Sequence, residues 1–227
     1  MGPIMGRMRK ATRLWSDPES RIAARHVMVG QEDSRGVFRA APREWFGRYA
    51  PLEVEIGAGK GAFILERARS FATRDFLAVE LPLSVVRVLA ARAGRSGLPN
   101  IRVLQADARS LVGFLLPEST VSVYHVYYPD PWPKARHAKH RLFSPHFVAG
   151  LARTLVERGV VYVASDVKPW AEHIFSALEL GGFVAESEQV PGIVAAGFGR
   201  KYAAQGRPLF ARAFRRPSAA RRPSHGP

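Results

Sequence analysis

Between about residues 50 and 214, short apolar runs alternate with helix-length amphipathic segments, and this alternation constrains the fold more than any other feature. The run at 52–56 reads as a strand, followed by a glycine-rich turn and a helix over 61–71. The same reading gives strands at 76–79, 101–104 and 121–128, separated by helices at 83–93 and 109–116. A helix over 145–157, a strand at 160–164 and a helix over 169–180 follow, and strands at 183–188 and 208–214 close the sheet. Strands alternating with helices form right-handed βαβ units. The expected fold is therefore α/β: a doubly wound, mostly parallel seven-stranded sheet with helices on both faces. In such sheets ligands bind at the carboxyl ends of the strands, beside the topological switch point.

The flanks read differently. Residues 1–48 carry many Arg and Pro without a sustained period and are expected to be a basic, partly ordered arm, with the domain proper over 49–215. Residues 216–227 are rich in Arg, Pro and Ser and are expected to form a basic disordered tail. A length of 227 residues suits one α/β domain with tails, or at a stretch two small domains. The 34 Lys and Arg outnumber the 19 Asp and Glu, for a formal charge of +15. Such an excess points first to a polyanionic partner, with basic tails on a neutral domain as the plain alternative. A membrane surface is a weaker third reading, because no basic amphipathic helix with an aromatic face is evident. There is no cysteine, which excludes disulfides, thiolate metal sites and Cys nucleophiles. The first ten residues lack an apolar signal-peptide core, and no apolar run approaches the roughly 20 residues that cross a bilayer. A soluble, cytoplasmic protein is expected.

The first strand runs into Glu55-Ile56-Gly57-Ala58-Gly59-Lys60-Gly61. Glycines let the chain turn sharply and let a ligand approach the backbone. Gly57-x-Gly59-x-x-Ala62, with Glu80 downstream, even satisfies the dinucleotide fingerprint, though a lone match is weak. A Walker loop is excluded, since Lys60 is followed by Gly61 and not by Ser or Thr. Three acids separate the remaining cofactors. Glu55 precedes the turn, Glu80 ends the second strand and Asp107 follows the third. S-adenosylmethionine offers an ammonium, a ribose diol and an adenine amino group, all seeking acceptors, and it has no pyrophosphate for an acid to repel. Acceptors in register at three strand ends favour it over a dinucleotide. For each acid singly, a solvated strand end or a helix cap is the plain alternative. The helix after Gly59 also offers its N-terminal amides to a carboxylate.

The fourth strand ends in Tyr127-Tyr128-Pro129-Asp130-Pro131-Trp132-Pro133-Lys134. Three prolines in five residues forbid helix and stiffen the turn, which holds Asp130 in a fixed direction. A PxxP ligand is the plain alternative, but such ligands normally lie in exposed tails, and this one follows an apolar strand. Six basic residues, among them Lys134, Arg136 and His137, crowd the 11 positions from Pro131 to Arg141. They are placed to neutralise phosphates while Trp132 or a nearby Tyr stacks on a base. His137 and His140 lack an evident third or fourth ligand, so no metal is expected. Asp166, after the fifth strand, reads as a helix N-cap, a substrate contact, or both.

The segment from Tyr128 to Leu142, with Glu55-Ile-Gly-Ala-Gly-Lys-Gly and Ala164-Ser-Asp-Val in the right order, resembles the bacterial tRNA (guanine-N7-)-methyltransferases, the TrmB family. The resemblance covers about residues 52–214 and implies a Rossmann-like class I methyltransferase fold. It implies that Glu55, Glu80, Asp107 and Asp130 contact S-adenosylmethionine, with Gly57 and Gly59 in the cofactor turn and Asp130 also catalytic. Lys134 and Asp166 match substrate-contacting positions, and Arg136 and His137 lie in the same signature. The implied reaction methylates N7 of a guanine in the tRNA variable loop (tRNA position 46). From the residues themselves no membrane or metal is expected, and a monomer is favoured. One departure stands out. The family carries a Thr-x-Tyr/Phe-Glu-like motif before its last strand, where this chain has Ala196-Gly197-Phe198-Gly199. The aromatic is kept, but the hydroxyl and the carboxylate are missing. The alternatives are a methyltransferase acting on another RNA nitrogen and a catalytically weak or silent RNA-binding protein of the same fold. A dinucleotide oxidoreductase is more distant.

Overall fold

The computed structural model describes residues 27–28, 42–131, 141–191 and 204–216. Strands are β1 (Val27–Met28), β2 (Leu52–Ile56), β3 (Asp75–Glu80), β4 (Ile101–Gln105), β5 (Val121–Tyr127), β6 (Leu155–Ser165), β7 (Val184–Glu186) and β8 (Phe210–Arg215). Helices are α1 (Pro42–Phe46), α2 (Ala62–Ser70), α3 (Leu83–Ser96), α4 (Ala108–Ser110, continued by a π-helical turn Leu111–Leu115), α5 (Pro145–Thr154) and α6 (Lys168–Leu180).

The sheet order is β1-β4-β3-β2-β5-β6-β8-β7. Strands β1 to β6 pair in parallel, and β8 runs antiparallel to both β6 and β7. The chain winds outward from β2 through β3 to β4, then returns to β5 on the other side of β2. The switch point lies between β2 and β5, at whose ends the glycine turn and the Pro129-Asp130 turn stand.

The expected seven strands are present, and the expected count is corrected by one. Val27 and Met28, from the arm, pair with Val103 and Leu104 and add an eighth strand at the sheet edge. Helix α1 also comes from the arm, and its Trp45 and Phe46 pack against the core. Arg102 fixes it, donating from Nε to the Trp45 carbonyl and lying 4.9 Å over the Phe46 ring.

Alternate side chains of the central strands feed two apolar layers. Leu52, Val54 and Ile56 of β2 pack with α5 and α6, through Phe147, Leu151, Ile174 and Leu178. On the other face, Phe76, Ala78 and Val103 pack with Ile64 of α2 and Leu89 of α3. Helix α5 starts where Ser144 accepts from the Phe147 N–H, with Pro145 in the first turn. Gly61 begins α2 at φ +75°, and a Cβ there would fall 2.3 Å from Leu89 Cδ1. The positive φ favours glycine here, and a larger residue would also displace the Leu89 side chain of α3.

Three of the differences from the expected elements have a clear physical reason. The helix expected to reach 157 stops at Thr154, and β6 begins at once, with a register shift against β5 between Val121 and Val123. Gly159 makes this possible, because a Cβ there would meet Leu155 Cδ2 and the Val156 and Ser122 carbonyls within 3.1 Å. The helix expected over 109–116 is a short α-helix opening into the wide π turn. Arg153 supports that turn by donating to the Val112, Gly113 and Leu116 carbonyls. Strand β8 starts at Phe210 and not at Pro208, whose nitrogen has no hydrogen to donate to a ladder.

Candidate active site at the carboxyl edge of the sheet

The turn after β2 folds over the end of β3, where the Gly57 and Ala58 N–H groups both donate to the Val79 carbonyl. Gly57 and Gly59 have φ +74° and +54°, in the left-handed region that glycine occupies without cost. Glu80 clamps this turn, its Oε2 accepting from the Gly59 N–H at 2.9 Å and its Oε1 from the Leu81 N–H at 2.9 Å. Asp107 caps α4, its Oδ1 accepting from the Arg109 N–H at 2.8 Å, and the Arg109 guanidinium lies 3.3 Å from Oδ2.

Asp130 is exposed at the end of β5. Prolines alone do not hold it. Tyr128 takes φ +52°, a strained value for a bulky residue, while its N–H donates to the Ala164 carbonyl at 2.7 Å. Trp170 of α6 donates from its indole to the Pro129 carbonyl at 2.9 Å. The turn is thus pinned from β6 and from α6.

Gly57, Glu80, Asp107 and Asp130 line one open cavity of about 340 Å³, with Val79, Leu81 and Ala108 supplying apolar wall. A cavity of about 380 Å³ lies among Arg48, Tyr49, Leu52 and Asp75, at the opposite edge of the sheet. Size does not separate the two, but chemistry does. Asp75 in the second is already held by Arg48 at 2.7 Å, whereas the first gathers acceptors from three successive strand ends.

Glu55 directly precedes Ile56 and Gly57 of the cavity wall and does not itself line the cavity. It is 5% exposed, and its Oε2 has no hydrogen-bond partner among the described residues. Burial pushes its carboxyl up to about 8; the Ile64 backbone N–H restrains that rise, and the Glu80 carboxylate adds to it. Such a group binds a proton or a cationic ligand in preference to standing charged and alone.

Asp166 follows β6 at the same edge, and Arg207 Nη1 lies 2.5 Å from its Oδ2. The expectation that Asp166 caps the next helix is corrected: the cap position of α6 is Val167, without a side-chain bond, and the Ser165 hydroxyl takes the Val167 N–H. Pro169 in the first turn removes one N–H that a cap would serve. Lys134, Arg136, His137, His140 and Ala196–Gly199 lie outside the described residues. Among the described residues no cluster of His, Asp or Glu is placed to hold a metal, and no helix is long and apolar enough to cross a membrane.

Sequence reasoning missed two features. Arg207 is one, and only strand pairing brings it to Asp166. The other is an ion cluster around Glu53 on the buried face of β2. There Glu53 meets Arg67, Arg74 at 2.8 Å and His125 Nε2 at 2.9 Å. A signal existed: Glu53-Val54-Glu55 in a five-residue strand places both acids on one face, and burial of that face demands partners.

The family described as "Putative methyltransferase" matches residues 49–210. The tRNA (guanine-N(7)-)-methyltransferase of Geobacillus kaustophilus (strain HTA426) is 35% identical over 81% of this chain and 82% of its own. The chain belongs to the tRNA (guanine-N7-)-methyltransferase family. The family's protein from Leifsonia xyli subsp. xyli (strain CTCB07) is 44% identical over 59% of each chain. Against several other curated members the match spans about half of their length, 55%, 49% and 57% in three of them. Among solved structures, the 16S rRNA methyltransferase KamB superposes with a TM-score of 0.60 at 20% identity, over 84% of this chain and 99% of that one. At that identity the likeness concerns the fold, which is the Rossmann-like class I methyltransferase architecture with a mixed sheet.

Proposed function

We propose that the protein transfers a methyl group from S-adenosylmethionine to N7 of a guanine in the variable loop of tRNA. The observation that carries the reading is the convergence of Glu80, Asp107 and Asp130 with the Gly57 turn on one cavity beside the switch point. Buried Glu55, next to the cavity wall in sequence and with an Oε2 that meets no partner among the described residues, fits a ligand that brings a cation. Within this reading Glu80 is placed for the ribose hydroxyls, Asp107 for the adenine amino group, and Glu55 for the ammonium. The bound cofactor supplies an electrophilic methyl group on a positively charged sulfur.

Guanine N7 has an in-plane lone pair, so no general base is required and the work of the site is alignment. Asp130, fixed through Tyr128 and Trp170, orients the acceptor and offsets the positive charge that develops on the base. Val79, Leu81 and Ala108 supply the apolar part of the cavity wall beside these acids. Lys134, Arg136 and His137 are assigned to phosphate contact, which makes tRNA binding weaken steeply with salt. The domain is taken as 49–215, acting as a cytoplasmic monomer.

The test is methyl transfer to unmodified tRNA, followed by nucleoside mass spectrometry and borohydride–aniline cleavage, which cuts at 7-methylguanosine. Methylation confined to an exocyclic amino group would replace this reading. Asp130→Ala is expected to lower the single-turnover rate with saturating tRNA about a hundredfold. A near-normal rate would remove its assigned role.

A further inference from the structure

Strand β7 lies at the sheet edge, and β8 and β6 stand between it and β5. Three interstrand spacings amount to about 14 Å. The chain recrosses that distance soon after Glu186, because the Pro191 carbonyl accepts from the Tyr127 hydroxyl at 3.3 Å, at the end of β5. Residues 187–191 reach about 17 Å when extended, enough for the crossing with little chain to spare. Each strand on the way supplies a tether. Arg215 of β8 donates from Nε to Glu186 at 2.7 Å, and the Tyr162 hydroxyl of β6 donates to Glu188 Oε1 at 2.6 Å. Val190 packs on the same small apolar layer as Tyr127 and Tyr162.

The two tyrosines share one support. His125, fully buried, donates from Nε2 to Glu53 and meets the Tyr127 hydroxyl through Nδ1 at 2.8 Å, while its ring stacks on Tyr162 at 5.5 Å. Phe63 of α2 meets the Tyr127 ring edge-on at 5.0 Å. Burial raises both phenols above their ordinary range, so each keeps the hydrogen it donates. A hydroxyl has one hydrogen, and that of Tyr127 is divided between His125 Nδ1 and the Pro191 carbonyl. The Pro191 tether is therefore the weaker of the two and the Glu188 tether the firmer. Trp170 pins the acceptor turn from the α5–α6 face, whereas Tyr127, the residue before Tyr128, packs on the opposite face. The turn is supported on both faces of the sheet, and on the Tyr127 side the support extends to residues 188–191.

Resting on the methyl-transfer reading above, we infer that Tyr127 and Tyr162 are positioning residues: together they draw residues 188–191 across the sheet to the acceptor turn and hold them there as a wall of the acceptor site, on the side away from Trp170. Their effect is on the approach of the base, which a reaction governed by alignment registers in turnover.

The test uses the full-length protein with Tyr127→Phe, Tyr162→Phe, both together, Glu188→Gln and Glu188→Ala. Phe keeps each ring and its packing and removes only the hydroxyl. Each single Phe variant is expected to lose about three- to fivefold in kcat on tRNA, and the double variant about thirtyfold. Cofactor affinity by calorimetry is expected to be unchanged. Glu188→Gln, which keeps an acceptor oxygen for Tyr162, is expected to turn over like wild type, and Glu188→Ala like Tyr162→Phe. Amide hydrogen exchange over 187–191 is expected to rise about tenfold in the double variant, with β5 and β6 as protected as before. A double variant with the wild-type kcat would overturn the inference. So would exchange that rises equally in β5 and β6, or Glu188→Gln turning over no better than Glu188→Ala. If wild type forms no 7-methylguanosine, the functional reading fails and takes the acceptor wall with it, a result distinct from tethers that fail in exchange.

Discussion

Glu53 and Glu55 stand two residues apart on β2, on the same face and both buried, yet their surroundings are opposite. Glu53 is enclosed by Arg67, Arg74 and His125. Burial alone would raise its carboxyl, but hydrogen bonds with His125 and Arg67 outweigh burial and bring it down to about 2. His125, fully buried and close to both arginines, is held below its ordinary range, so it stays neutral and donates from Nε2 to Glu53. Its Nδ1 meets the Tyr127 hydroxyl at 2.8 Å, which extends the network along β5. Glu55 has a backbone N–H on one side and, among the described residues, no partner at Oε2. The lesson concerns division of labour. A buried acid with its partners in place is structural, and one that lacks them is ready for a ligand.

Breaking the paired acid should have the largest effect. Glu53→Ala leaves two arginines uncompensated and is expected to cost about 3–5 kcal/mol in urea unfolding. A loss below about 1 kcal/mol would mean that the cluster is already solvated.

The acid limb of wild type tests the same residue without mutation. Because the Glu53 carboxyl lies below its ordinary 4.5, its contribution is fully present above about pH 4.5 and is lost as pH falls toward 2. That contribution amounts to about 3 kcal/mol, read from stability against pH. A flat curve over this window would contradict the pairing.

For Glu55 the sign reverses. A carboxyl raised to about 8 lets the folded state hold a proton that the unfolded chain has released, so stability falls as pH climbs from about 4.5 to 8. Glu55→Gln should flatten that limb and add on the order of 1–3 kcal/mol at neutral pH. The same change should weaken cofactor binding about tenfold by calorimetry. A variant with lower stability and unchanged cofactor affinity would make Glu55 structural, like Glu53.

The smallest effects grade the cluster. Arg74, 38% exposed, should cost about 1 kcal/mol on replacement by Ala, and Arg67, 15% exposed, should cost more. An inverted order would show that Arg74 is the main counter-charge.

Much of the site was legible because its chemistry sits where local pattern is strong. The Gly57-Gly59-Gly61 turn and the acids at 80, 107 and 130 could be placed at strand ends from periodicity alone, and four of the cavity-lining residues were expected there. Glu55 was expected beside them and does not line the cavity, because the strand's alternation puts it on the buried face where the Ile64 N–H of α2 reaches it. Of the two readings of Asp166, the helix cap is not made, and its partner Arg207 lies 41 residues away. The two-residue strand at Val27 had no periodic signal, as two residues cannot show a period.

The sequence by itself determined the order of strands and helices, the glycine turn, and the spacing that delivers an acid to each successive strand end. These follow from side-chain periodicity and backbone sterics, which act over a few residues. Only the tertiary structure decided which buried glutamate found partners and which did not. It also decided that Trp170 would pin the Asp130 turn and that Arg207 would meet Asp166. Those outcomes depend on pairings between distant segments, where burial strengthens every charge and hydrogen bond, and no local pattern encodes which partner arrives.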